Sequence, residues 1–465
     1  MRTGARLKAA AEVLEDILQR HRPAAMALAD WGKAHRFAGS GDRSAIGTLV
    51  YDALRRKSSI AAQMGADTPR ALALGAAPRA FGMTPAEVGA TADGSEHALS
   101  PLTEEETARL GAALGADTPT AIAGDIPDWL LPSFERAFGT AAAAEGAALS
   151  ARAPVDLRVN TLKATREKVL KALERNKAVA TPLSPQGVRI PAPEGAARSP
   201  ALEAETAHGK GWFEVQDEGS QVAVLLAGAA PRQQILDLCA GAGGKTLALA
   251  AGTQNTGQIY AYDADKRQLR PIFERLKRAG VRNVQVMEAG DEAALAALGA
   301  RFDVVLVDAP CTGSGTWRRK PDSKWRLKPA NIPERQAEQQ GVLALGAALV
   351  KPGGALVYVT CSVLPEENGD QVAAFLAKHP DFAVVPYAES WRARLGTEPP
   401  RSADGKEDTL QLTPFRHGTD GFFIALMRRG DAQPSGTEIG RDNGTAENCK
   451  LPLAMSQFTN KFADY

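Results

Sequence analysis

Short apolar runs alternate with helical stretches over the second half of the chain. The runs predicted as strands are Ile235–Leu238, Gln258–Tyr262, Val284–Glu288, Val304–Val307, Ala355–Thr360 and Phe422–Leu426. Helices are predicted to begin near Gly244, Asp265, Pro333 and Glu366. Valine-rich runs separated by helices are typical of buried parallel strands joined by crossover connections. The pattern predicts the α/β fold class, with a doubly wound parallel sheet.

The first 150 residues show the period of helices instead. Leu7, Ala11, Leu14 and Leu18 fall on one helical face, and a second apolar stripe runs from Ile46 to Leu54. Capping boxes are predicted at Thr84–Glu87 and at Thr103–Glu106, where side chains can satisfy the free N–H groups of a first helical turn. We therefore predict an all-α domain over residues 1–150.

Residues 151–215 predict a small α+β module. Val155–Asn160 alternates as a strand should, Thr165–Lys177 reads as a helix, and residues 188–190 and 212–215 predict two further strands. Eight Lys/Arg and three Asp/Glu lie between Arg152 and Lys177. Such a patch can follow phosphates, although a solvated helix face is the commoner meaning of a charge run.

The remaining boundaries and the composition set limits on function. Residues 216–429 make the sheet domain, and residues 430–465 predict a flexible tail without a function, because the apolar pattern fails there. The 465 residues carry a net charge of +1, so any nucleic-acid surface must be local. No apolar run predicts a membrane span, and four scattered cysteines predict no zinc site. We expect a monomer in a reducing cytoplasm.

Two of the predicted strands each deliver a cysteine at the carboxyl end. One ends in Asp308-Ala309-Pro310-Cys311, and the other ends in Thr360-Cys361-Ser362. In open α/β sheets, ligands bind at this edge. The two thiols and the acid are therefore expected to share one site.

A glycine-rich loop follows another strand and opens a helix. Its residues are Cys239, Ala240, Gly241, Ala242, Gly243, Gly244 and Lys245. A dinucleotide motif would need glycine at Thr246, and a P-loop would need glycine at Cys239, so NAD and ATP are disfavoured. An adenosyl cofactor without phosphates remains, and S-adenosylmethionine fits.

These motifs, in this order, resemble those of the Sun-type (Fmu, Nop2-related) RNA cytosine-5 methyltransferases. The resemblance covers residues 150–428 well and the first 75 residues more loosely; Ala242 stands where the common pattern has proline. It implies a Rossmann-like methyltransferase sheet that binds S-adenosylmethionine, an RRM-like module before it, and a NusB-like RNA-binding helical domain. With the resemblance, we favour RNA contact for the patch at 152–177.

The resemblance also implies residue roles. Cys361 is the nucleophile, Asp308 contacts cytosine N3 and lies in the cofactor site, and Cys311 assists release. Asp263 ends the second strand, where an acid can accept both ribose hydroxyls. Asp291 is placed to meet the adenine amino group, with a helix N-cap as the competing role. Cys239 is more typical of a packing residue than of a reactive one.

A basic segment with two tryptophans, Thr316–Lys328, follows Cys311. Basic groups hold phosphates and aromatic rings stack bases in single-stranded recognition, although Trp317 and Trp325 could equally be hydrophobic anchors. The RNA-binding residues predicted there are Arg318, Arg319, Lys320, Lys324, Trp325 and Arg326.

The sequence thus predicts methyl transfer from S-adenosylmethionine to carbon 5 of a cytosine in RNA, through a covalent cysteine adduct. The NusB-like front suggests the RsmB-type subgroup and small-subunit ribosomal RNA. Two alternatives stay open. A DNA cytosine-5 methyltransferase would use the Pro-Cys cysteine as nucleophile, and a non-catalytic RNA-binding assembly factor would have lost turnover.

Overall fold

A computed structural model describes residues 1–193, 195 and 200–431. Most of the tail predicted at 430–465 therefore lies outside the described residues. Over the described part, no helix is long and apolar enough to cross a membrane.

The amino-terminal region is helical, as its periodicity predicts. The helix Pro69–Phe81 is apolar on nearly every side, because it packs between the helices Thr3–Arg20 and Ser40–Arg55. Both predicted capping boxes are confirmed: Glu87 and Thr84 exchange bonds, and so do Glu106 and Thr103. The helices are α1 (Thr3–Arg20), α2 (Ala24–Ala34), α3 (Ser40–Arg55), α4 (Lys57–Met64), α5 (Pro69–Phe81), α6 (Pro85–Thr91), α7 (Glu104–Leu110), α8 (Thr120–Ala123), α9 (Leu131–Phe138) and α10 (Ala142–Leu149).

A small antiparallel sheet follows, in the order β2-β3-β1-β4. Its apolar face packs on the helix that the sequence predicts within 165–177, and Leu157, Val169 and Phe213 are buried between them. A short strand at 179–180 was not predicted, because both its residues are exposed. The elements are β1 (Val155–Val159), α11 (Arg166–Ala172), β2 (Val179–Ala180), β3 (Gly187–Ile190), α12 (Thr206–Gly209) and β4 (Phe213–Val215).

The large sheet has the strand order β10-β12-β9-β8-β5-β6-β7, with β11 paired to β12. Its helices are α13 (Glu218–Ala227), α14 (Gly244–Gly252), α15 (Lys266–Leu269), α16 (Ile272–Ala279), α17 (Glu292–Ala296), α18 (Pro321–Arg326), α19 (Asn331–Leu349), α20 (Gly369–Lys378), α21 (Tyr387–Leu395) and α22 (Pro414–His417). Its strands are β5 (Gln234–Asp237), β6 (Gln258–Ala261), β7 (Val284–Val286), β8 (Phe302–Asp308), β9 (Val350–Thr360), β10 (Phe382–Val385), β11 (Leu410–Leu412) and β12 (Phe422–Arg429).

The predicted α/β class is confirmed, with one difference in the sheet. Strands β5 to β9 pair parallel to one another, whereas β12 runs antiparallel to β9 and to β10. The sheet is therefore parallel at its centre and antiparallel at one edge. An apolar run gives no signal of strand direction, so the sequence could not distinguish the two.

The central strand β8 is buried on both faces. Val305 and Val307 point into the apolar layer formed with α19, while Val304 and Leu306 point into the layer formed with α13 and α14. Because all four are within 3% of full burial, β8 is fixed firmly in the core. Its carboxyl end, at Asp308, consequently has a well-defined position.

Candidate active site

The glycine-rich loop, the acids and the two thiols all line one cavity of about 660 Å³. The cavity opens at the carboxyl ends of β5, β6, β8 and β9, as the rule for parallel sheets predicts. Residues predicted for the site that line it are Cys239, Ala240, Gly241, Ala242, Gly244, Lys245, Asp263, Asp308, Cys311, Cys361 and Lys320. Those that do not line it are Gly243, Asp291, Arg318, Arg319, Lys324, Trp325 and Arg326.

The glycine-rich loop connects β5 to α14. Gly243 has a φ of +82°, and a Cβ at that position would lie 2.4 Å from Ile272 Cγ1. Both the backbone conformation and the packing therefore require glycine. Gly243 packs against Ile272 and does not line the cavity, whereas Gly241 and Gly244 face it.

Asp263 follows β6 and lies against this loop. Its Oδ2 accepts a hydrogen bond from the backbone N–H of Gly241 at 2.8 Å, and its Oδ1 accepts one from the N–H of Asp265 at 2.8 Å. Burial raises the pKa of the Asp263 carboxyl above its usual value. Each oxygen retains a further lone pair, so the carboxylate can still accept hydroxyl groups from a ligand.

Asp291 caps a helix, which is the role that the sequence offered as the alternative to adenine binding. It is the N-cap of α17, and its Oδ1 accepts the backbone N–H of Ala294 at 2.9 Å. The neighbouring polar group that does line the cavity is Tyr262, whose buried Oη has no hydrogen-bond partner among the described residues. Tyr262 was not singled out from the sequence, because a tyrosine near a strand end is common in cores.

The two cysteines approach each other closely. Cys311 Sγ and Cys361 Sγ are 3.4 Å apart, within hydrogen-bond distance for sulfur. The pKa of Cys311 is raised well above its usual value, first by the hydrogen bond with Cys361 and then by burial and by the nearby charges of Cys361 and Glu367. Cys311 therefore keeps its proton, which it can share with Cys361. The third thiol in the cavity, Cys239, also has a raised pKa, chiefly because it is buried.

A buried carboxylate that the sequence did not reveal joins the two cysteine loops. Glu367 is fully buried and accepts four hydrogen bonds. Oε1 accepts the Thr312 N–H at 2.8 Å and the Gln339 amide at 3.2 Å, while Oε2 accepts the hydroxyls of Thr312 and Ser362. Thr312 follows Cys311 and Ser362 follows Cys361, so one side chain fixes both loops. The signal in the sequence was its position, six residues after Cys361.

The adjacent Asn368 completes this support. Its Oδ1 accepts the Thr360 hydroxyl at 2.6 Å, and its Nδ2 donates to the Ser362 carbonyl at 3.0 Å. Asn368 therefore holds the residues on both sides of Cys361.

A charged pair lies beside the thiols. Lys245 Nζ is 2.6 Å from Asp308 Oδ2, and Lys245 is largely buried while the Asp308 side chain is about a third exposed. The lysine belongs to the glycine-rich loop and the acid to the end of β8, so this pair connects two halves of the cavity. It offers a hydrogen-bonding acid and a cation at one point, which is suited to a ring that gains charge during a reaction.

The basic segment after Cys311 is placed differently from the prediction. Arg318 is buried and paired with Asp420, and Arg319 pairs with Asp420 and with Asp217. Trp317 is buried and stacks on Phe134 at 5.7 Å between ring centroids. These contacts bind the segment to the protein itself.

The carboxyl-terminal half of the segment enters the helical region. Lys324 is 1% exposed and donates to the Arg55 carbonyl and the Ser150 hydroxyl. Trp325 donates to the Leu54 carbonyl at 2.6 Å, and Arg326 pairs with Asp322. The placement of Arg318, Lys324, Trp325 and Arg326 therefore does not support the predicted exposed surface that stacks RNA bases. Hydrophobic anchoring, the alternative interpretation of the tryptophans, agrees with these contacts.

Part of the basic patch at 152–177 also has internal partners. Arg158 is buried and donates to the carbonyl of Gly244 in the glycine-rich loop at 2.7 Å. Lys163 donates to the carbonyl of Arg278 at 2.6 Å, and Lys168 lies over the ring of Trp212. The small sheet thus supports the loop from behind, a role that charge counting could not reveal.

Comparison with known proteins gives consistent results across the chain. Residues 223–428 match the family model described as 16S rRNA methyltransferase RsmB/F, and residues 126–195 match an RsmF/B-like ferredoxin-like domain. A probable ribosomal RNA small subunit methyltransferase B from Synechocystis sp. is 35% identical over 312 residues, which are 65% of this chain and 67% of that protein.

Two solved structures resemble the whole or part of the fold. The crystal structure of PH0851 has a TM-score of 0.68 and 26% identity, and the match covers 91% of this chain and 99% of that one. A methyltransferase homolog protein from Pyrococcus horikoshii has a TM-score of 0.55 and 28% identity, covering 67% of this chain and 97% of that one. The site geometry, the family model and the relative agree: the chain belongs to the RsmB/F family of 16S ribosomal RNA methyltransferases.

Proposed function

We propose that the protein transfers a methyl group from S-adenosylmethionine to carbon 5 of a cytosine in small-subunit ribosomal RNA, through a covalent adduct with Cys361. The observation that carries the proposal is the thiol pair, 3.4 Å apart, in the cavity that also holds the glycine-rich loop and Asp308. Family membership favours RNA over DNA as the substrate. Intact thiols and acid in one cavity oppose a purely binding role.

The residues present fit an adenosyl cofactor. Asp263 can accept ribose hydroxyls, Gly241 leaves open space where a side chain would intrude, and the free Tyr262 hydroxyl can bond a polar edge of the ligand. When bound, S-adenosylmethionine supplies an electrophilic methyl group. The structure has no glycine motif for phosphates in this loop, in agreement with an adenosyl ligand.

The chain's own groups supply the activation that cytosine needs. Carbon 5 is a poor nucleophile until the Cys361 thiolate forms a bond to carbon 6, which shifts the electrons of the 5,6 double bond toward N3. Asp308, acting as a carboxylic acid, donates a proton to N3, and the neighbouring Lys245 ammonium helps to stabilise the negative charge that develops on the ring. After carbon 5 has gained its methyl group, its proton leaves to a base. The double bond then re-forms, the bond from carbon 6 to sulfur breaks and returns the thiolate, and N3 returns its proton to Asp308.

Cys311 is suited to the last step. Its raised pKa keeps it protonated while Cys361 acts as a nucleophile, and its sulfur lies next to the sulfur of the adduct. Formation and breakdown of a covalent intermediate are separate steps, so different thiols can govern them. We assign attack to Cys361 and assistance in release to Cys311.

The test uses a transcript of the small-subunit ribosomal RNA, labelled S-adenosylmethionine and denaturing gels. Cys361→Ala should neither methylate nor form an adduct. Cys311→Ala should attack and methylate but then stall, giving a protein–RNA band that survives denaturation. Bisulfite sequencing of the product should show one protected cytosine.

If the roles of Cys311 and Cys361 were exchanged, the two variants would give the reverse result on the denaturing gel. An adduct with Cys361→Ala and none with Cys311→Ala would invert the two roles, as the DNA-type mechanism requires. Methylation of duplex DNA in preference to the transcript would overturn the RNA substrate. An inactive wild type that still binds the transcript would favour the non-catalytic alternative.

A further inference from the structure

A second cavity, of about 540 Å³, lies where the helical region meets the small sheet and the segment after Cys311. Helix α3 forms one wall, and five arginines line the cavity: Arg43, Arg55, Arg152, Arg318 and Arg319. No carboxylate is found among the described residues that line it. This composition is unusual, because a pocket between packed elements normally balances its charges.

The acids that pair with these arginines lie behind the cavity wall. Asp52 pairs with Arg55 and Arg152, while Asp217 and Asp420 pair with Arg318 and Arg319. Five guanidinium groups against three carboxylates leave an excess of two positive charges. The ion pairs also fix the orientation of the four paired guanidinium groups, whereas the Arg43 guanidinium is held by its bond to the Ala38 carbonyl.

Several donors facing this cavity are unused. Arg43 donates from Nε to the Ala38 carbonyl at 2.9 Å, and its Nη1 and Nη2 have no hydrogen-bond partner among the described residues. The hydroxyls of Ser44 and Thr48, which lie one turn apart on helix α3, are likewise without a partner in the described part of the chain. A cavity rich in donors and poor in acceptors is suited to an anion with several oxygens, and a guanidinium can bond two of them.

From these observations we propose that the cavity binds a phosphate group of the RNA backbone, with Arg43 as its main accessible contact. The inference rests on the proposed function, because it assumes that RNA is the substrate. The cavity shares Arg318 and Arg319 with the segment that begins five residues after Cys311. A phosphate held there would fix the RNA relative to the cysteine loop while leaving the cavity of the thiols free for the base.

Filter binding of the same ribosomal RNA transcript, measured from 50 to 200 mM salt, tests this assignment. Arg43→Gln removes the contact, Thr48→Asp introduces a negative charge into the cavity, and Arg36→Gln is the matched control on the exposed surface of the same region. Each cavity variant should lower the salt slope by about 0.7, so that affinity changes about 2.6-fold less over this range than in the wild type. Arg36→Gln should keep the wild-type slope, and all variants should keep the wild-type melting temperature.

Three outcomes would contradict the proposed phosphate site, and the measurements distinguish them. Cavity variants with the slope of Arg36→Gln would overturn the phosphate site while leaving the proposed function intact, provided that the wild type methylates the transcript. A wild type that neither binds nor methylates the transcript would overturn both. If inorganic phosphate raises the wild-type melting temperature but the RNA slopes are equal, the cavity is a site for free anions and the RNA assignment is wrong.

Discussion

Replacing Glu367 by alanine should disable the thiol pair without touching either cysteine. The carboxylate accepts four hydrogen bonds, and two of the donating residues each follow a cysteine directly. Loss of the carboxylate leaves the Thr312 N–H buried without a partner, which costs about 1–3 kcal/mol. The other three bonds contribute about 0.5–1.5 kcal/mol each, so the free energy of unfolding should fall by about 2.5–7.5 kcal/mol.

Two further variants separate positioning from general stability. Glu367→Gln keeps an acceptor for the Thr312 N–H, and its amide can donate to the hydroxyls, so most of the stability and the adduct should be retained. Glu218→Ala is the matched control, because Glu218 is also fully buried and accepts the N–H groups of Leu183 and Ser184 far along the chain from the cysteines. It should lose stability but still form the adduct with RNA.

The assays are urea unfolding followed by tryptophan fluorescence, adduct formation with RNA, and peptide-resolved alkylation of Cys311 across pH. The negative charge of Glu367 contributes to the raised pKa of Cys311, so Glu367→Gln should begin to alkylate at lower pH than the wild type. A folded Glu367→Ala protein with the wild-type rate of adduct formation would refute the positioning role. An unchanged alkylation profile in Glu367→Gln would instead refute the contribution of the Glu367 charge to the raised pKa of Cys311.

Two other predictions concern the cofactor and the interface with the helical region. Asp263→Ala should weaken S-adenosylmethionine binding by about 1.5–3 kcal/mol, and wild-type affinity in calorimetry would exclude the ribose role. Burial lowers the pKa of Lys324 to about 7 from 10.5, so the unfolded chain binds more protons between these values, and stability should rise as pH increases from 7 to 10. Lys324→Met should show a smaller rise in urea unfolding at the two pH values, and an equal rise would exclude Lys324 as the cause.

The fold and the centre of the site could be predicted because they depend on local patterns. Valine-rich runs mark buried strands, and a cysteine at the end of such a run must reach the edge of the sheet. Cys311, Cys361 and Asp308 accordingly line one cavity, together with most of the glycine-rich loop. The position of Asp263 followed from the same rule.

Other parts of the site depend on which distant residue pairs with each charged side chain, and sequence patterns carry no such information. Arg318 and Arg319 read as a basic surface because their partners, Asp217 and Asp420, lie about 100 residues away on either side. Glu367 reads as one acid in a polar stretch, although it is buried at the centre of the cysteine loops. Burial of a charge is decided by tertiary partners, and only the structure supplies them.

The segment after Cys311 connects the cysteine loops to the helical region through its hydrogen bonds. Gly315 donates its N–H to the Cys361 carbonyl at 2.9 Å and accepts the N–H of Gly421, and a Cβ on Gly315 would lie 2.1 Å from the Gly421 carbonyl oxygen. Only glycine permits this approach, so the segment is anchored at the end of the strand that precedes Cys361, the proposed nucleophile. Ten residues later Trp325 is bonded to helix α3, which also carries Arg43. A rigid connection therefore runs from the proposed phosphate site to the thiols. Because α3 and Cys361 are held by the same segment, RNA bound on the helical region would reach the cavity in a fixed register.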